Sequence, residues 1–244
     1  MIVLVHGVPE SAALWGRLAP LLDGESTALS LPGFATPRPD GFGATKDDYT
    51  DWLVGEIEQF DAPVDLVGHD WGAALTYRVA TTRGELLRSW AADVANVMHT
   101  DYTWHDFAQI WQAPGAGEDF FAGMAGAPAA DTAAGYEAMG VPSGETGALV
   151  PLGDPVMASC ILDLYRSATP RLFAAWGDDL TPTSAPGLVL HATDDPFGDE
   201  RLSAEVATAL GARTGTLTGV GHWWALQDPA QAASVLNAFH ASVS

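Results

Sequence analysis

The sequence predicts an α/β fold built on a mostly parallel sheet with helices on both faces, and three observations predict it. Short continuous apolar runs such as Ile2-Val3-Leu4-Val5 and Gly187-Leu188-Val189-Leu190-His191-Ala192 have the character of strands buried on both faces. Longer stretches with apolar residues at helical spacing alternate with them, which implies parallel pairing through helical crossovers. The third is the run Val64-Asp65-Leu66-Val67, which leads into Gly68-His69-Asp70-Trp71-Gly72 and then into the helix-like Ala73-Ala74-Leu75-Thr76-Tyr77-Arg78-Val79-Ala80. A strand, a tight turn and a helix in that order form a nucleophile elbow. Glycines let the chain turn where a Cβ would collide, and the middle side chain, here Asp70, is held out at the strand's carboxyl end.

The elements follow in order. The first strand, residues 2–5, stops at Gly7 and Pro9. Residues 11–22 are expected to be helical, with Leu14, Trp15, Leu18 and Leu22 on one face. Residues 25–31 form a second strand ended by Pro32-Gly33. A helix over 47–60 follows, with Thr45 as its N-cap. After the elbow, residues 87–94 make another strand. From about Asn96 to Pro186, Trp, His, Gly, Ala and Pro accumulate, and periodicity is weak across 113–155. The Ala/Gly/Pro bias of 113–147 is compositional and gives no ground for placing helices there. The strand at 187–192 restores the pattern, followed by a helix over 201–210, a strand over 214–220 and a helix over 230–243. The expected organisation is a core of residues 1–95 and 186–244 interrupted by an inserted cap, 96–185.

With 10 Lys and Arg against 31 Asp and Glu among 244 residues, the formal charge of −21 repels nucleic acid and anionic membrane surfaces. Solubility or a salty habitat accounts for it. The single cysteine, Cys160, cannot form an internal disulfide, and no run suits a signal peptide or a membrane span. A cytoplasmic protein, monomer or homodimer, is expected.

An elbow aspartate attacks an electrophilic sp³ carbon and becomes an ester with its own substrate, which water must then cleave. Activating that water takes a histidine at a later strand end, and His222 in Gly219-Val220-Gly221-His222 lies between the last strand and the last helix. An acid must orient the imidazole and stabilise its charge. Asp195, in Thr193-Asp194-Asp195-Pro196-Phe197, has the right place in chain order; Asp194 and Asp93 are the alternatives. The oxyanion formed when water attacks the ester calls for two backbone N–H groups, from Trp71 and from Val8 in the loop after the first strand. His69, His99, His191 and His240 lack metal-ligand spacing, and Gly41-Phe42-Gly43 lacks the setting of a phosphate loop, so no metal and no cofactor are expected.

Together, His6-Gly7-Val8-Pro9-Glu10, the Asp70 elbow, Asp195-Pro196-Phe197 and Gly221-His222 resemble the α/β-hydrolase superfamily, and within it the epoxide hydrolases and haloalkane dehalogenases. The resemblance spans the core and is weak across the cap. It implies an α/β-hydrolase fold shortened at its N-terminus to about six strands, with a mainly helical cap. It implies conversion of a neutral hydrophobic epoxide to a vicinal diol, with haloalkane dehalogenation as the alternative. Epoxide opening releases a poor leaving alkoxide and needs hydroxyl donors. Tyr165 resembles the second of the family's two cap tyrosines; packing of the cap is its other reading. Phe107 stands where the first is expected, leaving His105, Trp104, Tyr102 or Tyr136 as replacements. For a halide, Trp71 matches one donor, but Val8 has no side-chain donor where many dehalogenases carry Asn. Trp104, His105, Phe107 and Trp111 are candidates for the substrate wall; most of these aromatic positions also suit the cap's core.

Overall fold

A computed structural model describes residues 1–176 and 180–243. The apolar run β1 (Ile2–Val5) is buried throughout and pairs on both sides, with β2 (Ser26–Leu29) and β3 (Val64–Gly68). Then come β4 (Leu87–Ala92), β5 (Gly187–Ala192) and β6 (Arg213–Leu217), and the six strands form one parallel sheet in the order β2-β1-β3-β4-β5-β6. Alternation sends Val3 and Val5 to one face, into a core with Leu53, Leu75 and Val206. It sends Ile2 and Leu4 to the other, with Trp15, Leu236 and Phe239. The register Val5 to Gly68 to Ala92 aligns the strands' carboxyl ends, so the loops after β1, β3 and β4 emerge along one edge. This is the edge at which an open parallel sheet carries its chemistry.

Helix α1 (Lys46–Ile57) begins at Thr45, whose hydroxyl accepts the Asp48 N–H while the Asp48 carboxylate accepts the Thr45 N–H. Helix α2 (Trp71–Thr82) starts directly at the elbow. Between β4 and β5 lie α3 (Asp106–Gln112), α4 (Ala116–Met124), α5 (Ala129–Ala138), α6 (Pro155–Ser167) and α7 (Leu172–Ala175). After β5 come α8 (Glu200–Leu210), α9 (Trp224–Gln227) and α10 (Pro229–Ser242). No helix among the described residues is long and apolar enough to cross a membrane.

Two stretches differ from expectation. Residues 11–22 form two 3₁₀ turns, Ala12–Trp15 and Ala19–Leu21, rather than one helix. Gly16 ends the first and Pro20 opens the second, yet Leu14, Trp15, Leu18 and Leu22 are buried all the same. The Ala/Gly-rich stretch does form α4 and α5. Only Tyr136 of α5 is buried, so that helix leaves almost no apolar periodicity in the sequence.

Candidate active site

Asp70 sits at the turn from β3 into α2 with φ of 52° and ψ of −118°, a region that a residue with a Cβ occupies only under constraint. Close backbone approach supplies the constraint. A Cβ on Gly68 would strike the Gly72 carbonyl, one on Gly72 the Val5 carbonyl, and one on Gly7 the Asp70 carboxylate itself. The Asp70 N–H donates to Asp93 Oδ1 at 3.0 Å, and its Oδ1 accepts the Val8 N–H at 2.8 Å. The loop after β1 thus already presents one backbone donor to the oxygen on which an oxyanion would develop. The Trp71 N–H lies in the first turn of α2 beside the same carboxylate.

His222, in the loop after β6, reaches across the sheet edge. Its Nδ1 donates to Asp195 Oδ2 at 3.0 Å, and its Nε2 stands 3.8 Å from Asp70 Oδ2. The other Asp195 oxygen accepts the Phe197 N–H. Burial disfavours the imidazolium, but the Asp195, Asp70 and Glu10 carboxylates outweigh it and lift the His222 pKa to about 10. Asp195 is itself held below the usual range: burial pushes it up, and the His222 charge and hydrogen bond push it further down. Of the other two acids, the Asp194 carboxylate accepts the Thr193 hydroxyl, and Asp93 belongs to a different histidine.

That histidine is His69, inside the elbow. Its Nδ1 lies 2.5 Å from Asp93 Oδ2, which also accepts the Trp224 indole N–H at 2.6 Å. Burial lowers the His69 pKa, but Asp93 overrides it and raises it. Beyond it, the fully buried Glu10 accepts the Gly7 N–H and the Trp223 indole N–H, each at 3.0 Å. Burial raises the Glu10 pKa. His6 anchors the same loop, donating from Nδ1 to the Gly7 carbonyl and accepting the Leu31 N–H at Nε2; burial keeps it neutral, lowering its pKa to about 4. Glu10, His69 and His222 bring one potential ligand atom each within 4.8 Å. Hydrogen bonds join Glu10 to the β1 loop, His69 Nδ1 to Asp93 and His222 Nδ1 to Asp195, while His69 Nε2, 3.8 Å from Glu10 Oε1, has no hydrogen-bond partner among the described residues. Sequence reasoning did not assign this second layer; the spacing from Gly7 to Glu10 is its only local signal.

Above Asp70 is a mostly apolar cavity of about 90 Å³. Trp104, His105, Phe107, Trp111, Tyr102, Tyr136 and Tyr165 all line it. Their donors differ. The Trp104 indole N–H goes to the Ala168 carbonyl at 3.1 Å and the Tyr136 hydroxyl to the Val150 carbonyl at 2.6 Å. His105 caps α3, accepting the Ala108 N–H at Nδ1, which leaves its proton on Nε2. The Trp111 N–H is buried with no partner among the described residues. Phe107 stacks on Trp111 at the exposed mouth. The Tyr102 and Tyr165 rings flank Trp104 at 5.3 and 5.2 Å. Burial first, then the Asp70 charge, raises the pKa of both phenols, while a polar contact from the Trp71 indole N–H works the other way on Tyr165. Trp71 meets Tyr165 edge-on at 5.3 Å and is not part of the cavity wall.

Comparison with known proteins agrees with this architecture. The protein is 33% identical to the AB hydrolase superfamily protein YfhM of Bacillus subtilis (strain 168) over 105 residues, 41% of this chain and 36% of that one. It is 28% identical to a haloalkane dehalogenase of Bradyrhizobium diazoefficiens over 110 residues, 44% of this chain and 35% of the relative. Each of these matches spans little more than a third of the relative's length. Among solved structures, a "putative epoxide hydrolase" from Pseudomonas aeruginosa superposes with a TM-score of 0.80 at 19% identity, covering 99% of this chain and 88% of that one. The match to the alpha/beta hydrolase family runs over residues 2–235, from β1 into α10, and with the parallel sheet and the elbow at its edge it makes the chain a member of that family.

Proposed function

We propose that this protein is an epoxide hydrolase that converts a small, neutral, hydrophobic epoxide to a vicinal diol. Asp70 attacks an oxirane carbon and becomes an alkyl ester; Tyr165, with Tyr102, donates to the departing oxygen. His222, held by Asp195, takes a proton from the water that cleaves the ester, and the Val8 and Trp71 N–H groups receive the resulting oxyanion. The helical segment between β4 and β5 acts as a cap whose aromatic wall holds the apolar body of the substrate.

The observation that carries this reading is the disposition of donors around Asp70. Among the described residues, two phenol hydroxyls with no backbone acceptor share the cavity with it, and the Trp71 indole is turned to Tyr165, outside the wall. An alkoxide requires such proton donors; a departing halide requires only N–H groups facing the cavity. Haloalkane dehalogenation is the second reading, favoured by the Trp111 indole N–H, which is in the wall and unpartnered among the described residues, by a Trp directly after the nucleophile and by the dehalogenase relative.

Styrene oxide and a cyclic epoxide, assayed for diol beside 1-bromoalkanes assayed for bromide, decide between them. Diol formation is expected, and bromide release without diol selects the second reading. Asp70→Asn is expected to abolish turnover, and His222→Gln to accumulate the ester as added mass on the intact protein. Absence of any adduct with a turned-over substrate overturns the two-step scheme.

A further inference from the structure

The His222 loop is pinned residue by residue. The Gly219 N–H donates to the Thr193 hydroxyl at 2.8 Å, the Val220 carbonyl accepts the Asp194 N–H at 3.0 Å, and the Gly221 N–H donates to Gln227 Oε1 at 2.6 Å. The first two anchors belong to the loop after β5, within the core. The third does not end there: the same carboxamide donates from Nε2 to the Gly140 carbonyl at 2.7 Å, and Gly140 lies just beyond α5 in the segment between β4 and β5. Only one amide orientation satisfies both bonds, because a flip would set oxygen against carbonyl and N–H₂ against N–H.

The residue before Gly140 is Met139, which lines the substrate cavity, and Tyr136 on the same turn lines it too. That segment is tied a second time to the core at the other catalytic loop, where the Val150 N–H donates to the Pro9 carbonyl and the Ser11 N–H to the Ala148 carbonyl. The stretch from Tyr136 to Val150 therefore bridges the loop that presents Val8 and the loop that presents His222. On the His222 side, Gln227 makes a direct side-chain link between them.

We infer that Gln227 is a positioning residue for the hydrolytic half-reaction: its carboxamide fixes the His222 loop against the substrate-lining segment through Gly221 and Gly140. Asp70 is held by Val8 and Asp93 rather than by this strap, so alkylation depends on it less than hydrolysis does. Ester hydrolysis does depend on it, because the water must lie between His222 Nε2 and the ester carbonyl, and a misplaced base loses about a hundredfold when it moves by an ångström.

The inference rests on the ester pathway proposed above, and its test separates the two. With styrene oxide and the full chain, adduct formation and decay are timed by rapid quench and intact mass for wild type, Gln227→Leu and Gln227→Glu. Gln227→Leu removes both bonds and is expected to slow adduct decay by about tenfold or more while formation stays within about twofold. Gln227→Glu keeps the acceptor for Gly221 and loses the donor to Gly140, and it is expected to slow decay as well. Decay at the wild-type rate in Gln227→Leu, or an equal fall in both steps, overturns the inference. Wild-type decay in Gln227→Glu overturns the link to Gly140. Failure of the pathway itself shows differently, as no adduct even in His222→Gln.

Discussion

His222 Nε2 lies 3.8 Å from Asp70 Oδ2, beyond hydrogen-bonding distance but well within charge attraction. Asp70 is one of three carboxylates that lift the His222 pKa to about 10, so in the resting enzyme the imidazole is held as its cation and is no base. Esterification turns the Asp70 anion into a neutral group and removes that part of the lift. On the proposed pathway, attack thus lowers the His222 pKa toward the range the next step needs, while Asp195 and Glu10 still raise it. Adduct decay is expected to accelerate with rising pH, with a midpoint below the resting value of about 10. Single-turnover decay measured across pH 6 to 10.5, roughly bracketing that value, checks it; a flat profile contradicts it.

Removing one preorganised donor to a developing oxyanion costs roughly a hundredfold to a thousandfold in rate. Tyr165→Phe and Tyr102→Phe are each expected to slow diol formation on that scale. Neither is expected to slow ester hydrolysis once the adduct is made, because in the proposed mechanism the phenols donate to the departing oxygen. Rapid-quench measurement of both steps is the check. Trp104→Phe, which removes an N–H already given to the Ala168 carbonyl, is the control expected to have a much smaller effect on ring opening.

Asp93 receives three donors: the Asp70 N–H on Oδ1, and His69 Nδ1 with the Trp224 indole on Oδ2. An amide has a single acceptor oxygen, so Asp93→Asn leaves a buried donor facing N–H₂ and a buried histidine without its counter-charge. Removing one member of a buried pair destabilises by about 3 kcal/mol. Urea unfolding is expected to show a loss of this order. Alkylation is also expected to slow, since the Asp70 turn loses the charged acceptor of its own N–H.

Local chemistry made the elbow, the Thr45 cap and the buried strands legible, because each is written in adjacent residues. The partners of Asp93 were not legible. It directly follows β4 and had the credentials of a triad acid until β3 and β4, paired in register, set it beside His69. The choice between Asp195 and its neighbour Asp194 likewise turned on which carboxylate faces inward after β5, a matter of one residue's direction. Tyr102 stood unranked among four candidate donors, since only tertiary contacts show where the Trp104 and Tyr136 donors are spent. Gln227 left no mark at all: its two partners lie 6 and 87 residues away, and neither is a side chain.

The Asp195–His222 pair also sets how stability depends on pH. His222 is raised from an ordinary 6.5 to about 10 on folding, so its contribution is complete below pH 6.5 and is lost as pH rises through about 10. Asp195 is lowered from an ordinary 3.8, so its contribution is present above pH 3.8 and is lost as pH falls through the lower folded value. For this pair, stability is expected to be flat between roughly pH 4 and 6.5 and to decline on both sides. Asp195→Asn removes the acid limb and weakens the alkaline one, because Asp70 and Glu10 still act on His222 after Asp195 has gone. Urea midpoints of both proteins, measured from roughly pH 3 to 10.5, are therefore expected to converge toward high pH, where the wild-type imidazole is neutral as well. A constant offset across the whole range would mean that Asp195 stabilises the fold by packing and neutral hydrogen bonds rather than through the charge of His222.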